Sequence, residues 1–359
     1  MTRVALCHPT YWPEVRRGAE RLVHDLAHAL AARGHAPRIV TGHAGAPARA
    51  RDGGVEVVRL WRPPDGRLRR RLLEDHLPLA PLTYLELRRG RDEVVQALQA
   101  PDAAAAARWT RATGRPSVYA HMGIPHRAWL TSRRARLELV QQAVAGCSAV
   151  SALSEHARDA FWTWLGVEAR VIPPPVDVEA FRPGGERDPD PVVVCAADAR
   201  EPRKRVGLLV EAFARVRREH PRARLLLDAR TAGGLADPAA GVEAVAMDDL
   251  PALYRRAWVS ALPSWGEAFG LVLAEALACG TPVVGSAREG IPEVLGGDDR
   301  VGRLFSGEEP AALAQALLEA IELARDPATA AACRARAETF SAARCAERHE
   351  ALYAELLAR

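Results

Sequence analysis

The feature that most constrains the fold of this chain is a rhythm. Short β-branched or apolar runs alternate with longer amphipathic stretches, beginning with "RVALCHP", "GAERLVHDLAHALAARGH" and "PRIVTGH". In the middle stretch Leu22, Val23, Leu26, Leu30 and Ala31 recur at helical spacing, and "RGH" ends the helix before the next strand. This is a βαβ unit. A parallel neighbour can be reached only by a crossover, so a series of such units predicts an α/β fold with a doubly wound parallel sheet. Further strands are expected in "VEVVRL", "DEVVQAL", "PSVYAH", "CSAVSAL" and "ARVIPP".

The rhythm breaks at "RPGGERDPD", which is polar and rich in Pro and Gly, and then restarts. "PVVVCAA", "ARLLLDA", "VSALPS" and "TPVVGS" read as strands, and "VGLLVEAFARVRREH", "LPALYRRA" and "LVLAEALACG" as helices. A chain of 359 residues exceeds one ordinary core. Two Rossmann-like domains are therefore expected, at 1–182 and 191–335, joined by a linker at 183–190. Ligands of such domains lie at the carboxyl ends of the strands. The remaining 336–359 is helical in pattern, and it either caps the second domain or crosses back to the first.

Composition narrows the function. With 48% hydrophobic and 26% charged residues the chain is an ordinary globular one, which excludes wholesale disorder. Six cysteines (Cys7, Cys147, Cys195, Cys279, Cys333, Cys345) are scattered without CxxC or Cys/His spacing, so neither a disulfide framework nor a zinc site is suggested. The first strand is too short for a signal peptide and no run could span a bilayer, so a cytoplasmic protein is expected. The net charge of +4 is uneven: "RLRRRLL" at 67–73, "RRGR" at 88–91 and "SRRAR" at 132–136 all fall in the first half. These runs are either a solvated arginine-rich surface or an attraction to an anionic acceptor or the inner membrane face. No nucleic-acid motif accompanies them.

The chemistry concentrates in "PSWGEAFGLVLAEALACGTPVVGS", residues 263–286, which reads as strand, turn, helix and strand. The backbone N–H groups of Phe269, Gly270 and Leu271 begin the helix and lack intrahelical acceptors, so a phosphate suits them. Glu275 lies four residues beyond Leu271 on the same face, and Glu267 lies in the turn. Carboxylates accept hydrogen bonds only, which suits them to sugar hydroxyls on either side of a diphosphate.

The same stretch resembles the signature of the family 4 retaining glycosyltransferases, of the GT-B fold, whose Glu-x7-Glu element matches Glu267 and Glu275. The resemblance extends to "HPTYWPEVRRGAERLVHDLAHALAARGH", "SALSEHARDAFWTWLGVEARVIPPPVDVEAFRP" and "PRKRVGLLVEAF", in the family's order. It implies an N-terminal acceptor domain, a C-terminal domain holding a nucleotide-sugar donor, and hexosyl transfer that needs neither a metal nor a cofactor. The acceptor is a glycan, a lipid-linked intermediate or a small metabolite. Glu267 would contact the transferred sugar, Glu275 the ribose, and Lys204 the diphosphate. The family's second cation falls on Ala199, leaving Arg200 or Arg203 for the part, with Arg200 preferred. His121, after "PSVYA", matches a histidine near the transferred sugar. Gly18 matches a loop facing the donor phosphates, where relatives carry further glycines and this chain has Arg16 and Arg17. Pro174 and Glu289 also depart from the pattern, at an Asn and a Gly respectively.

The resemblance leaves rivals. A nucleotide-sugar epimerase shares the fold, and the single glycine of the first loop leaves room for a catalytically silent subunit. A dinucleotide oxidoreductase is disfavoured because no GxGxxG follows the first strand. Acidic pairs at 248–249 and 298–299 sit at turns or helix starts, where Asp serves as a cap.

Overall fold

The computed structural model describes residues 1–15, 18–64 and 73–359. Arg16, Arg17 and nearly all of the basic run at 67–73 lie outside the described residues. The chain divides into two compact units, one formed by Met1–Pro175 with Ala342–Arg359 and the other by Val176–Ser341.

In the first unit the strands are β1 (Arg3–His8), β2 (Ala36–His43), β3 (Ala48–Asp52), β4 (Val55–Trp61), β5 (Val94–Ala97), β6 (Ser117–Ala120), β7 (Ala149–Ala152) and β8 (Arg170–Val171). Its helices are α1 (Gly18–Ala32), α2 (Leu79–Arg89), α3 (Ala100–Thr113), α4 (Arg127–Thr131), α5 (Arg136–Gly146) and α6 (Glu155–Leu165). The strand order is β3-β4-β2-β1-β5-β6-β7-β8. Pairing is parallel throughout the described strands except at β3 and β4. These two form a hairpin whose two-residue turn, Gly53–Gly54, has φ of +53° and +92°, a conformation that needs glycine.

The second unit contains β9 (Val192–Cys195), α7 (Val206–Glu219), β10 (Arg224–Asp228), β11 (Val242–Val245), α8 (Leu250–Arg256), β12 (Val259–Leu262), α9 (Leu271–Ala278), β13 (Val283–Ser286), α10 (Ile291–Leu295), β14 (Gly302–Phe305), α11 (Pro310–Leu323) and α12 (Pro327–Glu338). Its strands are all parallel, in the order β11-β10-β9-β12-β13-β14. Strands β9, β12 and β13 are buried at every position, which is why they read as continuous apolar runs rather than alternating ones.

The last helix, α13 (Ala342–Leu357), belongs to the first unit. Its Cys345, Ala346, Leu352, Tyr353 and Leu356 share one core with Val4 and Leu6 of β1, Val94 of β5 and Leu22, Val23, Leu26 and Leu30 of α1. Buried polar bonds fix the register of the helix. Tyr353 Oη donates to Gln96 Oε1 at 2.6 Å, and Gln96 Nε2 donates to His349 Nε2 at 3.2 Å. His349 Nδ1 faces the Cys345 carbonyl at 2.9 Å. One proton satisfies this imidazole, and burial pushes its pKa down to about 4.

The boundary between the units corrects the sequence reading. The stretch 183–190 is no free linker, because the chain passes from one unit to the other at Pro175–Val176. Residues 182–186 are exposed, as their polarity predicts, but the next two are anchored. Arg187 donates to the carbonyls of Ala324 and Gly280. Asp188 accepts from Arg224 at 2.7 Å and from Arg256 at 3.1 Å, and its carbonyl accepts from Trp258 Nε1 at 2.7 Å. The charges that look solvated in the sequence find partners in the second unit.

Candidate active site

In the second unit the order of strands reverses between β9 and β12, since the chain moves from β9 outward through β10 and β11 and then returns to β12. Loops leaving two such strands diverge and leave a crevice at their carboxyl ends, the place where open parallel sheets bind ligands. The loop after β9 carries Arg200, Arg203 and Lys204, and the loop after β12 carries Glu267, Phe269 and Gly270.

The structure brings Lys204, Arg203 and Glu267 together. Lys204 Nζ bonds Glu267 Oε1, and Arg203 Nη1 reaches the same oxygen at 3.2 Å. Lys204 ends a short 3₁₀ turn, Pro202–Lys204, and Arg203 accepts through its carbonyl from Trp265 N at 2.8 Å, so the two loops are joined through backbone as well as side chains. Arg200 goes elsewhere: its guanidinium is 68% exposed and forks onto Asp198 at 2.9 and 2.7 Å. The cation beside Lys204 is therefore Arg203. Arg200, expected from the sequence as that cation, is held instead by Asp198, two residues away.

Beyond the turn, Gly270 adopts φ +105° and α9 starts at Leu271. The nearest atoms to a Cβ placed on Gly270 would be side-chain carbons at 3.6 Å, so conformation rather than space requires glycine here. The Phe269 side chain is 3% exposed and packs edge-on against Phe340 at 5.0 Å, which leaves only its backbone for a ligand. Glu275 is 4% exposed on an otherwise apolar helix, a costly position for a carboxylate.

Three residues that the sequence reading did not assign hold this loop. Glu289 accepts the Glu267 N–H at 2.9 Å from a left-handed backbone, φ +59°. The unexpected acid in "AREGIPEVL" thus orients the first member of the Glu pair, and strain in a non-glycine residue is tolerated where it does so. Gly290 donates to the Glu267 carbonyl at 3.0 Å, and Ser286 Oγ to the Ser264 carbonyl at 2.7 Å. Trp265 lies against the Arg205 guanidinium at 4.3 Å, a cation–π stack.

In the first unit the strand order reverses between β1 and β5. Beside that switch His8 ends β1, and His121 follows β6 at a carboxyl end of the same sheet. His121 is 5% exposed, with Nδ1 at 3.0 Å from the Tyr119 hydroxyl and Trp129 and Phe161 against its ring. Burial, and secondarily Arg136, push its pKa down to about 3, so it stays neutral. Among the described residues its Nε2 is buried without a partner, as are His8 Nε2 and Glu20 Oε2. Thr10 Oγ1 donates to Glu20 Oε1 at 2.6 Å, and His8 Nδ1 lies 2.6 Å from the Thr10 carbonyl. Burial lowers the His8 pKa against the pull of Glu20. Orphaned buried polar atoms of this kind cost about 1–3 kcal/mol each until a ligand satisfies them. Gly18 is exposed at the first position of α1, and Glu20 follows two residues later. His8, Thr10 and Glu20 escaped the sequence reading, although their place beside the first strand end was the available signal.

A cavity of about 590 Å³ lies at the opposite, amino-terminal end of the first sheet, lined by Arg3, Arg38, Arg49, Glu86 and Asp92 among others. Its charges are largely self-paired, with Arg38 forking onto Asp92 at 2.7 and 2.6 Å and bonding Glu86 at 2.6 Å. Two acidic pairs elsewhere do what caps do: Asp249 accepts from Ala252 N at 3.0 Å, and Asp298 from Arg300 N at 2.9 Å.

Comparison with known proteins gives the same assignment twice over. Residues 16–180 match the family described as Glycosyltransferase Family 4, and residues 190–322 the one described as Glycosyl transferases group 1. The D-inositol 3-phosphate glycosyltransferase of Geodermatophilus obscurus is 33% identical over 199 residues, 48% of this chain and 44% of that protein. The one of Segniliparus rotundus is 36% identical over 145 residues, 34% of this chain and 32% of that protein. The match thus spans less than half the length of either curated relative. Among solved structures, sucrose-phosphate synthase from Thermosynechococcus elongatus superposes with TM-score 0.82 at 21% identity, covering 100% of both chains. HepE of Anabaena with UDP-glucose superposes with TM-score 0.74 at 20% identity, also covering 100% of both. Such low identities speak for the fold, and the two family matches leave out only 1–15, 181–189 and 323–359. The chain belongs to the family 4 and group 1 glycosyltransferases, built on the GT-B fold.

Proposed function

We propose that this protein transfers a sugar from a nucleoside-diphosphate sugar to an acceptor hydroxyl, with retention at the anomeric carbon. The observation that carries the reading is the constellation of Lys204, Arg203 and Glu267 at the switch point, beside the amino end of α9. As the bond from the anomeric carbon to the diphosphate oxygen breaks, negative charge develops on the leaving group. Lys204, Arg203 and the α9 backbone N–H groups meet that charge without a metal ion. The new bond forms from the acceptor oxygen to the same carbon, and a departing phosphate oxygen takes the acceptor proton. In this reading Glu267 exchanges its cation partners for sugar hydroxyls when donor binds, and Glu275 holds the ribose. The second unit is the donor unit and the first the acceptor unit, where the orphaned Nε2 of His121 offers a hydrogen bond to a ligand hydroxyl.

The names of the relatives suggest the first substrates to try. The curated ones act on D-inositol 3-phosphate, and HepE was solved with UDP-glucose. An exposed arginine at 134, in the segment after β6, suits an anionic acceptor, with a phosphorylated polyol, a lipid-linked glycan and an anionic membrane face as its candidate sources. No helix among the described residues is long and apolar enough to cross a membrane.

The test begins with thermal shift against UDP, GDP, ADP and TDP, followed by nucleoside-diphosphate release from the matching donors. One diphosphate should raise the melting temperature. Lys204→Ala and Glu267→Ala should each cut release by about 10²-fold or more, the scale on which loss of a charge-stabilising group is felt. A flat response to all four diphosphates, or unchanged turnover in both variants, overturns the reading. Isomerised donor in the absence of acceptor would make the protein an epimerase instead.

A further inference from the structure

On the first unit, away from every residue given a part in sugar transfer, α1 and the β3–β4 hairpin bring two imidazoles and a carboxylate together. His24 and His28 are one turn apart on α1, with ring centroids 4.2 Å apart, and Asp52 ends β3 opposite them. One ligand atom from each lies within 4.8 Å of the other two. Ligands on a tetrahedral zinc stand about 3.4 Å apart, given zinc–nitrogen bonds of about 2.0–2.1 Å, so small rotations of the rings would close the set.

The hydrogen-bond geometry says what belongs between them. His28 Nδ1 lies 2.8 Å from the His24 carbonyl and Nε2 lies 3.2 Å from the Asp52 carbonyl. His24 Nδ1 lies 2.9 Å from Asp25 Oδ1 and Nε2 lies 3.7 Å from Asp52 Oδ2. The last contact is beyond hydrogen-bond reach, so His24 Nδ1–H serves Asp25 and its Nε2 lone pair faces Asp52, whereas His28 has two carbonyls that only accept. A neutral imidazole has one proton and can serve one of its two acceptors, leaving the other nitrogen's lone pair against an oxygen. Protonating His28 would satisfy both of its bonds, but it sets a charge against the His24 ring, 4.2 Å away between centroids. His349 shows the contrast: it faces one acceptor and one donor, and the neutral ring fits both.

A divalent cation resolves the conflict. With Nδ1–H held by a carbonyl in one ring and a carboxylate in the other, both Nε2 lone pairs are fixed as ligands, the arrangement by which outer partners orient metal-binding histidines. Asp52 Oδ2, the oxygen 3.7 Å from His24 Nε2, accepts from the Tyr11 hydroxyl at 2.8 Å, which holds the carboxylate in place facing the rings. Gly53 is needed as glycine for space as well as turn, since a Cβ there would stand 2.6 Å from His28 Nε2. We propose that His24, His28 and Asp52 form a three-ligand site for a divalent transition metal of the zinc class, with water completing the tetrahedron. The metal pins the hairpin at the edge of the first sheet to α1. Nitrogen-rich ligation favours zinc, cobalt or nickel over magnesium or calcium.

The untagged full chain is titrated with Co²⁺ as a spectroscopic probe and with Zn²⁺ in thermal shift. The expected result is one equivalent of Co²⁺ giving the visible absorption of a tetrahedral site, displaced by Zn²⁺, and a melting temperature raised by Zn²⁺. His24→Gln and His28→Gln should abolish both responses while leaving the far-ultraviolet circular dichroism unchanged. Asp25→Asn, which removes only the partner of His24 Nδ1, should weaken affinity about tenfold. Absence of the band in the wild type, or a band of equal strength in both histidine variants, overturns the proposal. If either histidine variant fails to fold, the Asp25→Asn affinity decides: no change there also overturns it.

Discussion

At the scale of single residues, burial decides which ionisable groups answer to pH. His121 and His349 are neutral in the fold, with pKa values pushed down to about 3 and about 4 by burial, against 6.5 for the free group. Each stabilises the fold fully above that value. The contribution is lost as pH falls from about 6.5, where the unfolded chain gains the proton and the folded one does not. Asp102 works in the opposite direction. Burial raises its pKa from 3.8 to about 7, opposed by the Thr83 hydrogen bond, so its contribution is present at low pH and lost as pH rises toward 7. The buried histidines, His8 among them, outweigh the one acid, so the first unit should lose stability as pH falls from 6 to 5. Urea midpoints at the two pH values check this. His349→Gln should flatten the dependence and Asp102→Asn should steepen it.

At the scale of elements, the turn between β12 and α9 is held by its neighbour after β13. Gly290 has an unremarkable φ of −81°, yet a Cβ there would stand 2.2 Å from the Ala268 carbonyl oxygen and 2.8 Å from Phe269 N. Gly290→Ala must therefore push the backbone that carries Glu267. It should cost about 1–3 kcal/mol, as overpacking does, and weaken nucleoside-diphosphate binding, both readable in one thermal-shift series. An alanine variant with wild-type melting temperature and nucleotide response would show that the two loops move independently. Elements also differ in how far the sequence reveals them. β3 reads "ARARD" and is exposed at four of five positions, so as an edge strand it has no apolar pattern to find. β11 and β14 are short edge strands with charged or half-exposed positions, and were missed for the same reason. Strands buried on both faces, such as β9 and β13, were legible because nothing but apolar side chains fits them.

At the scale of the whole molecule, the last helix completes a core begun by the first strand. Removing 342–359 takes away Leu352, Tyr353 and Leu356 and leaves the polar side of Gln96 without Tyr353 and His349. Burying three large side chains contributes several kcal/mol, comparable with the net stability of a domain. The truncated chain should bind the dye ANS and lose the cooperative unfolding of its first unit. Retention of a wild-type unfolding transition would refute that account of α13.

The sequence by itself determined the class of fold, the restart of the βαβ rhythm and the Glu267–Glu275 spacing, because periodic burial and helix geometry are local properties written residue by residue. Tertiary structure decided what depends on partners distant in sequence. It chose Arg203 over Arg200 beside Lys204, since Asp198 holds the one and Glu267 the other. It tied 187–188 to the second unit, sent α13 to the first, gave Glu289 a role, and set Asp52 against two histidines of α1. Each of these is a pairing of charges or hydrogen-bonding groups, and a pairing exists only once the folded backbone has fixed the distance between them.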